Sequence, residues 1–193
     1  MNHAQQPLRV LNGLVFGLMA SGMALADVAL GAPAAGSTNL APVDYAFIGS
    51  TYLGNKYQVD TGKLGETRAG DPAVKAYAQL MDTSHVQVQQ RLLALLRRKG
   101  LTPPTLTLTQ GAYATIVRIL SNERGSAFDH DYIKGQVDYQ HANDALYRWE
   151  IADGADPDLK AYASVVLPKI DDHMARAQKL DVAHARTLEE LAR

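Results

Sequence analysis

The sequence predicts an all-α fold, a ferritin-like four-helix bundle made from a duplicated helical hairpin, and three observations predict it. Apolar residues recur at alternating three- and four-residue steps over long segments, the spacing of helices with one buried stripe. Two of those segments open on Asp-Pro, a helix start in which Asp caps free N–H groups and Pro takes the first turn. The third observation is a repeat: Gly70-Asp71-Pro72-Ala73-Val74-Lys75-Ala76-Tyr77-Ala78 returns 85 residues later as Ala155-Asp156-Pro157-Asp158-Leu159-Lys160-Ala161-Tyr162-Ala163. In the same register Val43-Asp44-Tyr45-Ala46-Phe47-Ile48 lines up with Phe128-Asp129-His130-Asp131-Tyr132-Ile133.

The first element is a leader. Met1 to Arg9 carries Arg9 as its only charged side chain, and Val10 to Ala26 is nearly all apolar or small, ending in Ala24-Leu25-Ala26. Residues 1–26 read as a secretory signal peptide, 27–41 as a flexible leader and 42–193 as a single helical domain. The alternative is an uncleaved anchor, because the run is only a little short of the ~20 residues a spanning helix needs. Gly13, Gly17, Ser21, Gly22 and the following Asp27 argue for cleavage, which places the chain in the periplasm.

The bulk composition agrees with export. There is no cysteine, which removes lipoprotein attachment, disulfides, thiolate metal sites and cysteine nucleophiles together. The leader takes only Arg9 from 19 basic residues, against 20 acidic ones. A chain so balanced, with no basic run, has no electrostatic footprint for nucleic acid.

The four main helices are expected at roughly 43–69, 72–99, 127–153 and 157–188. Gly100 ends the second and Thr102-Pro103-Pro104 prevents its continuation. Ser126 with Asp129 resembles a capping box for the third. The second helix should bury Val74, Ala78, Met81, Val88, Leu92 and Leu95. The fourth should bury Leu159, Ala163, Val166, Ile170, Ala177 and Leu180, with a kink at Pro168. Between the hairpins, Leu101 to Gly125 includes a shorter helical piece at about 109–123 with Ala112, Ile116, Ile119 and Leu120 on one side. This segment is long enough to travel the height of a ~40 Å bundle, as one long crossover requires.

Three histidines fall at similar heights on three of these helices. His85 lies ~20 Å along the second helix, His141 ~21 Å along the third and His173 ~24 Å along the fourth, at the helical rise per residue. His85 sits between Met81 and Val88 on the buried stripe, and His173 sits likewise between Ile170 and Ala177. His141 follows Ile133 and Val137, but Tyr139, Ala142 and Leu146 define a competing buried direction. Asp82 and Asp138 each precede a histidine by three residues and share its helix face. At matching height on the first helix stand Tyr57, Gln58 and Asp60. The repeat does not explain the histidines, whose partners at the 85-residue offset are Ile170, Lys56 and Val88.

Gly62-Lys63-Leu64, Met81-Asp82-Thr83-Ser84-His85, Phe128-Asp129 with Tyr132, Val137 and His141, and Leu167-Pro168 with Ile170 and His173 form an ordered set of landmarks. In that order and spacing the chain resembles the exported bacterial domain of unknown function 4142, a family classed as ferritin-like, over about residues 42–181. The resemblance implies a four-helix bundle in a periplasmic or envelope setting, often labelled an outer-membrane protein, and supplies no established activity. The chain departs from the family at Ser84, where an acidic residue is common, and at Gln58 and Asp60, where Glu is frequent.

Those departures thin the carboxylates. A di-iron ferroxidase centre wants a Glu from each of two helices and Glu-x-x-His from the others, yet none of Glu66, Glu123, Glu150, Glu189 and Glu190 precedes a central histidine by three. Ser84 and His85 are adjacent on a helix and point apart, so they form no nucleophile–base pair. No phosphate-cradling loop is present. Two readings stay open, both without an assigned enzymatic activity. One is a transition-metal site of His85, His141 and His173, helped by Asp82 or Asp138, for Zn, Cu or Fe. The other is a structural or stress-related envelope domain whose histidines form a buried hydrogen-bond network.

Overall fold

The computed structural model describes residues 40–105 and 111–191, with side chains to 187. The expected signal peptide 1–26 and nearly all of the leader 27–41 lie outside the described residues. The chain forms α1 (Pro42–Arg68), α2 (Pro72–Arg98), α3 (Gly111–Leu120), α4 (Gly125–Asp153) and α5 (Pro157–Leu191).

The expected helix signals act as their chemistry requires. Asp71 Oδ1 accepts from the Ala73 amide at 2.7 Å, and Asp156 Oδ1 from the amides of Asp158 and Leu159 at 3.0 and 3.1 Å. α2 closes on Gly100 at φ +67°, where the Leu101 N–H reaches the Leu96 carbonyl at 2.9 Å and the Gly100 N–H reaches that of Arg97 at 3.1 Å. This is a Schellman close, and the left-handed residue is best a glycine. α5 runs on through Pro168, which leaves the Ser164 carbonyl without its usual helical donor.

The capping box expected at Ser126 and Asp129 does not form. α4 begins at Gly125 after Arg124, which caps nothing with its side chain. Asp129 instead accepts from the amides of Gly70 at 3.0 Å and Asp71 at 2.8 Å, in the turn of the other hairpin. A carboxylate gains more from two free amides of a neighbouring turn than from one amide of its own helix.

Hairpins α1–α2 and α4–α5 pack side by side, α1 against α4 and α2 against α5. The end of α1 meets the start of α4 at the Ala69–Gly125 bridge. Lys99, just past α2, grips Asp156 at 2.7 Å and Asp158 at 2.9 Å at the start of α5. Each pair is therefore antiparallel, and the segment carrying α3 spans the bundle from one end to the other. That connectivity is the single long crossover expected of the chain, and α3 packs on the outside of α1 and α4.

The core divides in two along the bundle. One apolar cluster holds Val74, Ala78, Met81, Phe128 and Ile133 with Ile116 and Leu120 of α3. The other holds Phe47, Ile48, Leu92, Leu96, Leu159 and Ile170. The stripes expected on α2 and α5 are buried throughout, except that Leu180 is only half-buried. α1 and α4 differ: their buried faces carry Thr51, Asn55, Gln58 and Thr61, and Gln136, Gln140 and Asn143. These make a polar belt in the bundle, and the two buried histidines sit in it.

Candidate functional site

His85 and His173 are brought together across the α2–α5 seam, 2% and 3% exposed. Their ring centroids are 5.4 Å apart, and the planes meet at 43°. The stripe positions explain the convergence: each histidine occupies a core register of its helix, and side chains lean toward their own helix N-terminus. In antiparallel helices those leans oppose each other, which closes the gap between the rings.

Asn55 of α1 orients the first ring. Its amide nitrogen donates to Gln89 Oε1 at 3.0 Å, which leaves its oxygen facing His85 Nδ1 at 2.8 Å. That contact makes Nδ1 the protonated nitrogen, an assignment from the bonding network, and puts the lone pair on Nε2. Among the described residues His85 Nε2 has no partner, and neither has His173 Nδ1. Two imidazole nitrogens thus lie buried and unpartnered in one seam.

Both rings are neutral at neutral pH. Burial, helped by the neighbouring His173, pushes His85 down to about 3. Burial also pushes His173 down to about 4; Asp172 opposes the shift, while Lys169 and Arg176 add to it. The belt continues beyond them. Gln136 Nε2 donates to Gln58 Oε1 at 3.0 Å, and Gln140 Nε2 lies 3.5 Å from the Met81 sulfur. The Tyr77 hydroxyl donates to the His173 carbonyl at 3.3 Å.

The other expected ligands are elsewhere. His141 is exposed and meets Gln178 Nε2 at 3.2 Å. The buried stripe of α4 runs through Gln136, Tyr139, Gln140, Asn143 and Tyr147, which turns His141 outward. Asp138 lies on that outer side near Lys134, His141 and Asp181, and partial burial raises its carboxyl. Asp82 packs where α2 meets Gly62 of α1, which a Cβ on Gly62 would approach to 2.8 Å at the Asp82 amide. Neither aspartate orients an imidazole. Among the described residues no three His, Cys, Asp or Glu side chains group to hold a metal ion, so the expected set of His85, His141, His173, Asp82 and Asp138 does not converge.

Asn55 is the residue the sequence pattern missed. It lies one helical turn after Thr51 and one before Gln58 on a stripe with little hydrophobicity, so periodicity did not single it out. A search for amides at core register would have found it.

No curated protein and no solved structure matches the chain significantly. Residues 29–180, however, match the model of the family described as Domain of unknown function (DUF4142). The chain belongs to that family.

Proposed function

We propose that this protein is an exported, envelope-side helical-bundle domain that binds a transition-metal ion through His85 and His173. The observation that carries the reading is two buried imidazoles with ring centroids 5.4 Å apart, each with a nitrogen that has no partner among the described residues. A buried polar atom left without a partner costs about 1–3 kcal/mol, and a bound ion would satisfy two at once. Asn55 supports the reading because ligating imidazoles usually donate their other N–H to an oxygen, which fixes tautomer and orientation. Export rests on the apolar leader with its Ala24-Leu25-Ala26 end and on the lack of cysteine. Among the described residues no helix is long and apolar enough to cross a membrane.

The test is metal content and thermal melting of untagged protein from the exported fraction, with Zn, Cu and Fe salts, on wild type and His85→Ala. A ligand selective for the folded state raises the melting temperature. A rise in wild type that His85→Ala abolishes supports the site, and no rise with any of the metals rejects it.

A second reading has its own observation. Amide contacts already run through the belt in two groups, Asn55 with Gln89, and Gln58 with Gln136 and Gln140. In that reading the histidines belong to a polar network that fixes how the helices register, and the protein is a structural envelope domain. His85→Ala then lowers stability with no metal to lose.

A further inference from the structure

The donor inventory of the α2–α5 seam narrows the class of ion it suits, given the two-histidine reading above, on which this step rests. His85 and His173 supply two neutral nitrogens, and no acid joins them in a group of three ligands among the described residues. Asp172 holds Arg176 at 2.8 Å, and Asp138 lies near Lys134, His141 and Asp181 on α4. Asp82 has a buried Oδ1 with no partner among the described residues, yet it does not group with the two histidines.

Charge then decides between ions. Carrying a bare ion from water into a buried seam costs free energy that grows with the square of its charge, and only a paired anion repays a large cost. A divalent ion at His85 and His173 would bring two positive charges, and no carboxylate groups with the pair to offset them among the described residues. Zinc sites hold three or four protein ligands in a tetrahedral set, and the hard divalent ions want six or more oxygens. Neither set is present. A monovalent ion of soft character needs less: few ligands, neutral donors and a polarisable surround. Met81, fully buried one turn before His85 on the same helix face, adds a polarisable thioether of the kind that favours copper(I), with its sulfur 3.5 Å from Gln140 Nε2.

We infer that the His85–His173 seam is a site for a monovalent d10 ion, copper(I), held by two imidazoles at low coordination. The ion enters and leaves without change of oxidation state, so no electron donor or acceptor is involved.

The experiment is an anaerobic titration of the full untagged chain with copper(I) against a chromophoric copper(I) chelator. Silver(I) serves as the redox-inert stand-in, and zinc(II) is titrated in parallel. One equivalent of copper(I) or silver(I) should raise the melting temperature, and zinc(II) should bind at least about tenfold more weakly. His85→Gln and His173→Gln should each weaken copper(I) by more than about tenfold while the exposed His141→Gln leaves it unchanged. If either core variant fails to fold, the wild-type comparison of copper(I) with zinc(II) still decides. Zinc(II) binding as tightly as copper(I), lost in His85→Gln, would overturn the ion class and leave a two-histidine metal site standing. No binding of either ion would overturn both.

Discussion

Asp44 and Asp129, 85 residues apart, do the same work at opposite ends of the bundle, each for the other hairpin. Asp129 takes the amides of Gly70 and Asp71 at 3.0 and 2.8 Å. Asp44 takes those of Ala155 and Asp156, the repeat equivalents, at 2.9 and 3.2 Å. The same exchange recurs in the tyrosines. Tyr77 donates to the carbonyl of residue 173 and its equivalent Tyr162 to that of residue 88, both at 3.3 Å. The duplication is thus built into the contacts, with each hairpin closing the other's turn.

Asp129→Ala should therefore destabilise the fold by about 2–3 kcal/mol, since it strips two amides of a charged acceptor. Asp44→Ala should cost less, because removing Asp44 also relieves the buried Glu150 beside it. The two ends are far apart, so the double variant should be additive within about 0.5 kcal/mol. Urea unfolding of the three variants measures all of this. A large coupling between them would show that the ends do not melt as independent contacts.

The pH profile should carry two opposing contributions in overlapping windows. Glu150 is raised from the usual carboxylate range to about 7, by burial first and then by Asp44, and Glu123 is raised to about 7 by burial and Asp131. The unfolded chain releases those protons at lower pH than the fold does, so their contribution is lost as pH rises from about 4.5 through 7. His85 and His173 sit at about 3 and about 4. The unfolded imidazoles take up protons first, so their contribution is lost as pH drops below about 6.5. Glu150→Gln removes one of the opposing carboxyls, so stability should rise more steeply with pH between about 4.5 and 7 than in wild type. Its amide N–H can donate to Asp44 Oδ2, which has no partner among the described residues. Melting temperatures from pH 4 to 9 on wild type and this variant test the assignment; an unchanged slope would remove Glu150 as a source.

The bundle was legible because α2 and α5 bury Val, Leu, Ile, Met and Ala at helical spacing, and because Asp-Pro marks a helix start with little ambiguity. The crossover followed from segment length and Gly100. The site was legible only in part. His85 and His173 stand on apolar stripes, and both are buried. His141 is less legible because α4 buries Gln136, Gln140 and Asn143, which a hydrophobic pattern reads as surface; the half-buried Val137 points it inward, whereas Tyr139, on the competing direction, is the buried residue. Asn55 and Asp129 escaped for a related reason. Their partners lie on other elements, 30 and 59 residues away in sequence, and spacing along one helix carries no sign of them.

Asn55→Ala separates the roles of the imidazoles from their packing. It removes the oxygen that holds His85 Nδ1–H, so the ring loses its preferred tautomer and Gln89 loses its donor. Stability should fall by about 1–3 kcal/mol, and any metal affinity at His85 by about 10- to 100-fold. The exposed His141→Ala should change stability by less than about 0.5 kcal/mol. Proton NMR of the His85 ring reports the tautomer directly, and a ring that keeps its protonated Nδ1 without Asn55 would contradict the positioning role.

Gly65 tests how closely α1 and α2 approach. A Cβ there would run into the Cβ of Ala78, and one at Gly62 would lie 2.8 Å from the Ala78 carbonyl oxygen. Both glycines sit in the helix interior, where alanine alone would stabilise by roughly 0.5–1 kcal/mol. Collision reverses that sign, because Ala78 is fully buried and its backbone belongs to a packed helix with nowhere to yield. Gly65→Ala should destabilise by about 1–3 kcal/mol as overpacking does. The pair Gly65→Ala with Ala78→Gly should recover much of that loss, since it moves the methyl group from one helix to the other. Thermal unfolding of the single and double variants measures the recovery, and a Gly65→Ala protein more stable than wild type would mean that α1 and α2 are not in contact there.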